Sequence, residues 1–570
     1  MGGLRTGEHT QSRPGPAFAR PGTGDDRPSS GRRWAVVAAY LLSGAVLWAV
    51  YARLSQTYQL NSDSANILLM GQDLLHGNLL LHSWYSSDVS FYPTELPQYA
   101  LLESIFGLRA ETAHIAAGMT YTLALLFAVL LARSGSSPGR QRLIRTLIAA
   151  GIMLAPQLGL GIFAMDLSVG HIGTAVPLLL IWLLLDRAAP RWWLPVLVAV
   201  LLAWVQVADP IVYLVGIGPL GIACAAWVIR GWRRAEGSRW RRLTAQWYYL
   251  SLGAASVAAA GLAWIANTVL SALGSFHVAR LPFHLTPWSD LHNNWQAWWK
   301  VLEVFGANFH GLTGLQLVLA YLHLVSVALV VCALALVAWR FFRVTLVDQI
   351  LAVAIVLNIL LYLFTNASDL AAHEVAIIVP FGAALAARVL IRSWDTAPER
   401  KRARQARRTR QFRLPRRVRL AGAVAGIAVL AGYAAGLGWE VTQPALPTAN
   451  TTLAAWLADH HLTYGLSGYW TSSSVTLDSD NQVQVRALMQ FTMRRDLWMS
   501  NETWYDPQTH YANFIVLDST PGYFSHWEPL ALIKEYFGTP AKIYRTGPYT
   551  ILVWNRNLLP SIPGQPASQG

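Results

Sequence analysis

Apolar runs of about 15 to 25 residues recur along the chain between Trp34 and Trp439. A helix that crosses a bilayer needs about 20 predominantly apolar residues, because every backbone polar group must be satisfied within the segment. Charged residues make up only 13% of the chain, against about 25% in soluble domains. The pattern therefore predicts a polytopic α-helical membrane protein and excludes a soluble globular enzyme.

We predict about 11 transmembrane helices from the lengths of these runs. The first is expected to stay uncleaved, because the tail before it is too long for a signal peptide. The predicted spans are 34–51, 112–132, 146–163, 173–186, 193–208, 211–229, 247–271, 314–338, 346–364, 375–391 and 420–438.

Positive charge predicts the orientation of the chain. Most of the 44 Lys and Arg residues lie in short segments between apolar runs, and alternation from a cytoplasmic N-terminus puts these segments in the cytoplasm. We therefore expect a multi-pass protein of the inner or plasma membrane with its C-terminal domain outside. The net charge of +14 is concentrated at such anchors, above all at 400–419, beside anionic membrane lipids. Nucleic acid is not an expected partner.

Composition and apolar runs divide the chain into regions. We predict a disordered basic cytoplasmic tail at 1–33, a multi-span domain at 34–439 with outside loops 54–111 and 272–313, an extracytoplasmic α/β domain at 440–559 and a disordered tail at 560–570.

The C-terminal α/β domain has no cysteine, since Cys224 and Cys332 both lie in apolar runs. Its patterns predict two helices, one strand and two hairpins. These are helices at 451–461 and 529–537, a strand at 513–517, and hairpins at 475–488 and 541–554.

The first outside loop holds the most informative sequence. Asp63 closely follows the first span and precedes apolar residues at helical spacing, which predicts a helix that ends at Gly77–Asn78. We expect this helix to lie on the membrane with its apolar face in the interface. Asp63 either caps the helix or serves a site at the mouth of the bundle, where an unused carboxylate is costly. Other acids share the loop: Asp73, Asp88, Glu95 and Glu103.

This arrangement resembles the GT-C superfamily of integral membrane glycosyltransferases, which use sugars linked to polyprenyl phosphate. The resemblance rests on Asp63 just past the first span, the helix ending in Gly77–Asn78 and the aromatic stretch that follows. The tail segments 462–465 and 468–470 also look like those of bacterial relatives. The resemblance extends over nearly the whole chain, and it implies a GT-C-like fold and a polyprenyl-linked sugar donor.

The resemblance implies roles for two acids. Asp63 is expected to be the general base that takes the proton from an acceptor hydroxyl, which is a poor nucleophile at neutral pH. Asp166, in the next outside loop, is expected to share the catalytic site, unless it caps the following helix. A divalent metal held by Asp63 and Asp166 is left open, because the family differs in metal dependence. His171, five residues further on, is a candidate for substrate binding.

The leaving group in this chemistry is a lipid phosphate, which needs positive charge or hydrogen-bond donors. In the turn 365–374, His373 stands near the place where relatives often carry a basic residue, and it is a weaker phosphate clamp than Arg. Arg280 and Lys300 are the next candidates. Their loop, 272–313, is either an interfacial Trp belt or an aromatic platform for a sugar.

The remaining candidates for substrate binding are the acids Asp88, Glu95 and Asp209. Asp209 precedes Pro210, so it could simply form a turn between two spans. An alternative function, a lipid or glycolipid transporter or flippase, predicts ionisable residues at mid-membrane depth, but the carboxylates cluster at the outer ends of the spans. A non-catalytic membrane scaffold of the same fold is also consistent with the sequence.

Overall fold

A computed structural model gives the fold of the chain. It describes residues 30–156, 170–234, 238–280, 284–309, 311–366, 372–391, 416–448, 450–521 and 526–564. The chain divides into two compact units, Met1–Ala45 and Val46–Gly570, and the second contains all the contacts of the candidate site. The predicted terminal tails fall largely outside the described residues.

Eight helices in the described part of the chain are long and apolar enough to cross a membrane, and they coincide with eight of the predicted spans. The chain is therefore a multi-pass membrane protein. The predicted spans at 173–186 and 193–208 are shorter helices, and 146–163 extends beyond the described residues. The predicted number of 11 is thus not confirmed.

The helices and strands up to residue 440 are given in chain order. They are α1 Ser30–Ser55, α2 Ser62–Leu75, β1 Trp84–Ser86, α3 Leu96–Phe106, α4 Ala110–Arg133, α5 Arg140–Met153, α6 Ile172–Arg187, α7 Trp193–Ala208, α8 Gly218–Arg234, α9 Arg239–Thr244, α10 Trp247–Ala272, β2 His277–Val278, α11 Trp295–Val304, α12 Gly314–Trp339, α13 Leu346–Phe364, α14 Ile378–Leu390 and α15 Arg416–Glu440.

Helix α14 lies at the centre of the bundle. It packs against α4, α5, α12 and α13, and nearly all of its residues are buried. Its small residues include Ala383, Ala384, Ala386 and Ala387. Small side chains let helix backbones approach closely, which is the main source of packing energy between helices in lipid. The sequence of α14 therefore explains its central position.

An ionic cluster ties α14 to its neighbours at its C-terminal end. The Arg388 guanidinium donates from Nε to Asp348 Oδ1 at 2.6 Å and from Nη2 to Asp186 Oδ1 at 2.8 Å. Its Nη1 donates to the Leu131 carbonyl at 3.0 Å. These partners belong to α13, α6 and α4, so one buried cation joins the ends of four helices.

The C-terminal domain contains a five-stranded sheet of order β4-β3-β6-β8-β7, in which β3 is parallel to both β4 and β6 and the other pairs are antiparallel. The predicted α/β class is correct. Its elements are α16 Thr451–Asp459, β3 Tyr464–Ser467, α17 Tyr469–Asp478, β4 Gln484–Ala487, β5 Ser500–Asn501, β6 Phe514–Asp518, α18 Leu530–Phe537, β7 Lys542–Thr546 and β8 Tyr549–Val553.

The hairpin predicted at 475–488 is wrong. Residues up to Asp478 belong to α17, and β4 pairs in parallel with β3. Serines in α17 bond back to carbonyls of their own helix: Ser472 Oγ donates to the Tyr469 carbonyl at 2.9 Å and Ser474 Oγ to that of Trp470 at 3.0 Å. This internal bonding lets a polar, β-branched sequence form a buried helix. The last hairpin and the helices near 451 and 529 are confirmed.

A second, three-stranded sheet joins the first loop, the 272–313 loop and the C-terminal domain. Strand β1 of the first loop pairs in parallel with β2 and antiparallel with β5 of the C-terminal domain. The Trp84 indole beside it donates to Asp73 Oδ2 at 2.6 Å, and Asn501 donates to the same oxygen at 3.3 Å. The C-terminal domain is thereby fixed against the loop that carries Asp63.

Replacing Arg388 with Ala leaves Asp186 and Asp348 buried without their cation. We expect Arg388→Ala to lose about 3–5 kcal/mol of stability, measured as a lower thermal unfolding midpoint in detergent. Arg187→Ala is the matched control, because that side chain is exposed next to Asp186. Equal midpoints for Arg388→Ala and the wild type would contradict a stabilising role for the cluster.

Candidate functional site

Helix α2 is capped by Asn61, so its N-terminus does not need Asp63 as a cap. Asn61 is the N-cap, and its Oδ1 accepts the Ser64 backbone N–H at 3.1 Å. Asp63 stands in the first turn, where a negative charge also suits the helix dipole. The hypothesis that Asp63 caps this helix is therefore wrong. The predicted end of the helix at Gly77–Asn78 is confirmed, since Gly77 adopts a left-handed φ of 94°.

The apolar face of α2 is buried in protein and not in the membrane interface. Ile67, Leu68 and Met70 are almost fully buried in a cluster that includes residues of α3 and α4. The predicted interfacial position of this face is wrong, because the sequence pattern is the same whether an apolar stripe meets lipid or protein. Burial on both sides gives α2 a fixed position, and with it Asp63.

The Asp63 carboxylate receives a hydrogen bond from the C-terminal domain. The Tyr469 hydroxyl donates to Asp63 Oδ1 at 2.5 Å. Asn66 Nδ2 donates to the same hydroxyl at 3.3 Å, and Ser62 Oγ donates to the Tyr469 carbonyl at 2.7 Å. Burial raises the pKa of Asp63, while the Tyr469 bond and the nearby charge of His373 lower it. Asp63 is thus a desolvated carboxylate with one oxygen already positioned.

A chain of alternating charges lies close to this carboxylate. His171 Nδ1 is 2.8 Å from Asp209 Oδ2, and His171 Nε2 is 3.0 Å from Glu374 Oε2. Both ring nitrogens face carboxylates, so both must donate and the ring is an imidazolium. Burial alone would lower the pKa of His171, but the charges of Asp209 and Glu374 raise it well above its ordinary value.

Asp209 and Glu374 are each held by further partners. Asp209 Oδ2 also accepts the Thr174 hydroxyl at 2.5 Å, and its Oδ1 accepts the Ile211 N–H at 2.9 Å. Asp209 is therefore more than the turn residue that Asp209–Pro210 alone suggests. Glu374 Oε1 lies 3.3 Å from His373 Nε2. Glu374 thus connects His171 with His373, whose charge acts on Asp63.

The charges of His171 and Asp209 act on the pKa values of both Asp88 and Glu95. Burial raises the pKa of Asp88; the charge of His171 lowers it, and those of Glu374 and Asp209 raise it. Burial and then Asp209 raise the pKa of Glu95 to about 8. Glu95 Oε1 is buried without a hydrogen bond in the described part of the chain. A neutral Glu95 at pH 7 is therefore able to donate a hydrogen bond.

Two loop cations, Arg280 and Lys300, are predicted to bind phosphate. Arg280 is exposed and makes no hydrogen bond or ion pair with any described residue. Lys300 is half-buried on α11, which packs against the turn that carries His373 and Glu374. Asp166 lies outside the described residues. Within those residues, no group of three or more His, Cys, Asp and Glu side chains is arranged to hold a metal.

The structure brings in residues that sequence reasoning missed. Tyr469, Glu374 and Thr174 all contact predicted site residues. Tyr469 belongs to the tail segment 468–470, but no local pattern predicts that this segment contacts the first loop. For Glu374, the one signal in the sequence is its position directly after the candidate His373. Gly173 also matters, because a methyl group there would overlap the Glu95 carboxylate.

Comparison with known proteins was made by sequence and by structure. No protein-family model and no curated protein matches the sequence. Among solved structures, ArnT from Cupriavidus metallidurans bound to undecaprenyl phosphate is similar at 13% identity and a TM-score of 0.50, over 92% of this chain and 98% of that one. An oligosaccharyltransferase of Archaeoglobus fulgidus, in complex with Zn and sulfate, has 14% identity and a TM-score of 0.44, over 83% and 68%.

The likeness to ArnT shows the fold. ArnT has the GT-C fold, and the match extends over nearly all of both chains. The chain described here has the same fold: a polytopic helical membrane domain followed by a small C-terminal sheet domain. The resemblance inferred from the first loop is confirmed at this level.

The charge of His171 predicts a pH dependence of stability. A raised folded pKa gives stability that is fully present below the unfolded pKa of about 6.5 and is lost as the pH rises through the folded value. We expect the unfolding midpoint of the wild type to exceed that of His171→Gln most near about pH 6, and less as the pH rises. His76→Gln, at an exposed helix end, is the control and should show no such trend. A difference that grows with pH would contradict the imidazolium.

Proposed function

We propose that this chain is a membrane glycosyltransferase. It transfers a sugar from a polyprenyl phosphate or pyrophosphate carrier to a lipid, glycan or protein acceptor on the outer face of the cell membrane. The observation that carries the proposal is the Asp63 carboxylate, desolvated and held by a hydrogen bond, in the first loop of a GT-C fold. The undecaprenyl phosphate bound to ArnT, which shares the fold, supports the class of carrier.

Asp63 is assigned as the general base. Its Oδ1 accepts the Tyr469 bond, and its Oδ2 accepts none from the described residues, so Oδ2 is the oxygen left for an acceptor hydroxyl. Desolvation raises the pKa of Asp63 toward the physiological range, which favours proton transfer from a hydroxyl. The Tyr469 bond and the charge of His373 lower the pKa of Asp63 and so favour the ionised carboxylate.

The reaction is a displacement at the anomeric carbon of the donor sugar. The acceptor oxygen forms a bond to that carbon while its proton passes to Asp63 Oδ2. The bond between the anomeric carbon and the phosphate oxygen breaks, and the polyprenyl phosphate leaves with the electron pair. Asp166 is proposed to share this site with Asp63.

Negative charge grows on the leaving phosphate, so cations near it lower the barrier. His373 is the first of these, because it is the cation that acts on Asp63 and is paired with Glu374. Lys300 is the second, since its helix packs against the turn that carries His373. Arg280 is exposed and able to reach a phosphate at the membrane surface.

The buried acids around His171 are proposed to bind the donor sugar. Asp88 can accept hydrogen bonds from sugar hydroxyls, and a neutral Glu95 can donate one. Asp209 and His171 hold this group of side chains together through the contacts described above. The distribution of Lys and Arg, which predicts a cytoplasmic N-terminus, supports a position of this site on the outer face of the membrane.

Asp63→Asn keeps the shape of the side chain and removes its basicity. We expect it to lower kcat for sugar transfer by about 10²–10⁴-fold, the contribution of a general base. The measurement is transfer of labelled sugar from synthetic polyprenyl phospho-sugars in membranes with equal amounts of each variant. Asp459→Asn, at an exposed position of the C-terminal domain, is the matched control. Full turnover of Asp63→Asn would remove its role as base, and a wild type without turnover on any donor would contradict the enzyme class.

The phosphate cations predict a separate effect on the donor. Lys300→Ala and His373→Ala should each lower kcat/KM for the donor by about tenfold or more, because a charge-assisted hydrogen bond contributes about 1.5–3 kcal/mol. The KM for the acceptor should stay unchanged. Arg109→Ala, exposed at the start of α4, controls for general loss of positive charge on this side. An effect on acceptor KM alone would place these cations elsewhere.

A further inference from the structure

Helix α17 of the C-terminal domain lies directly on α2 of the first loop. Tyr469 is the first residue of α17, and both its hydroxyl and its carbonyl bond to α2. The two elements are separated by about four hundred residues of sequence, since Asp63 and Tyr469 are 406 positions apart. The contact is therefore a tertiary one, built by the docking of the whole domain.

The Tyr469 hydroxyl stays protonated and donates its hydrogen bond to Asp63. Burial, and then the charge of Asp63, raises the pKa of Tyr469 well above its ordinary value, so the phenol stays protonated. Asn66 Nδ2 donates to the phenol oxygen at 3.3 Å. With an accepted bond from Asn66, the single hydroxyl proton of Tyr469 is directed at Asp63 Oδ1.

We propose that the C-terminal domain supplies a positioning residue to this site: the Tyr469 hydroxyl orients the Asp63 carboxylate and keeps it ionised. The inference rests on the proposed function, in which Asp63 is the base. It adds a role for the domain itself, because the base is correctly placed only while α17 is docked on α2.

The other charged groups near Asp63 determine how its pKa changes when the Tyr469 hydroxyl is removed. His373 is the one cation whose charge acts on Asp63 within the described residues, and Asp496 acts on Tyr469. In Tyr469→Phe, burial still raises the pKa of Asp63, and among the described residues only His373 still lowers it. The pKa of Asp63 therefore rises, and protonation removes the base over a wider range of acidic pH.

Tyr469→Phe is a conservative test, because it removes one oxygen atom. The ring remains, and so does the carbonyl that Ser62 holds at 2.7 Å. The matched control is Tyr464→Phe in strand β3 of the same domain. The Tyr464 hydroxyl donates to the Trp504 carbonyl and receives a bond from Arg486, both within that domain.

Two measurements on the full chain in membranes test the proposal. The first is the pH profile of kcat/KM for sugar transfer, whose acidic limb reports the pKa of the base. The second needs no turnover: a water-soluble carbodiimide with glycine ethyl ester labels protonated carboxyl groups, and mass spectrometry gives the extent of labelling at Asp63 as a function of pH.

In Tyr469→Phe, we expect the acidic limb and the half-labelling pH of Asp63 to rise together by about one pH unit or more, from the loss of a hydrogen bond to a charged group. In Tyr464→Phe, both should match the wild type. Unchanged values in Tyr469→Phe, or an equal shift in both variants, would overturn the proposal. A wild type that transfers no sugar contradicts the proposed function instead, and the labelling then decides the role of Tyr469 alone.

Discussion

The two ionic clusters of the membrane domain hold the same pair of helices at opposite ends. His171 precedes α6 and Asp186 ends it, while Glu374 precedes α14 and Arg388 lies near its end. At 1.5 Å per residue, the 15 residues from His171 to Asp186 correspond to about 22 Å, which is shorter than the hydrocarbon core of about 30 Å. Charges buried between helices are tolerated only as hydrogen-bonded pairs, so each cluster fixes its end of both helices in one register. The position of every residue in the candidate site depends on that register.

The cluster around His171 combines structural and chemical roles through one residue, Glu374. Glu374 has one oxygen on His171, which fixes it to the bundle, and the other on His373, which faces Asp63. The membrane domain thus holds His373, whose charge acts on the candidate base, through Glu374 and His171. On the opposite side, Tyr469 brings in the soluble domain. Asp63 therefore lies where the two parts of the molecule meet.

Much of the fold could be predicted from sequence, because lipid imposes long apolar runs with a strong signal. The same signal was weakest for α6 and α7, whose short lengths do not distinguish a span from a buried helix. Local pattern also failed for α17, since the alternation from Val475 that predicts a hairpin begins inside a helix whose serines bond back to its own carbonyls. For α2, the helix and its end were predicted correctly, but the protein surface that covers its apolar face was not.

The sequence predicts which ionisable residues are candidates for the site, but not which of them lie next to each other. His171, Asp209 and His373 were chosen as ionisable side chains at the outer ends of helices, and the structure joins them through Glu374. Tyr469 could not be placed, because only the docking of the C-terminal domain brings it to Asp63. Gly173 was likewise invisible, since its close approach to Glu95 depends on how α6 packs beside α3.

The distance along the chain between Asp63 and Tyr469 has a consequence for biosynthesis. Translation proceeds at about 5–20 residues per second, so roughly 20–80 s pass between the synthesis of the two residues. During that time the first loop lacks its partners from the last domain, since β1 has no β5 to pair with and α2 has no α17 packed against it. The nascent protein therefore carries an incomplete candidate site through most of its synthesis, and the site is completed only when the last domain has been made and has folded onto the first loop.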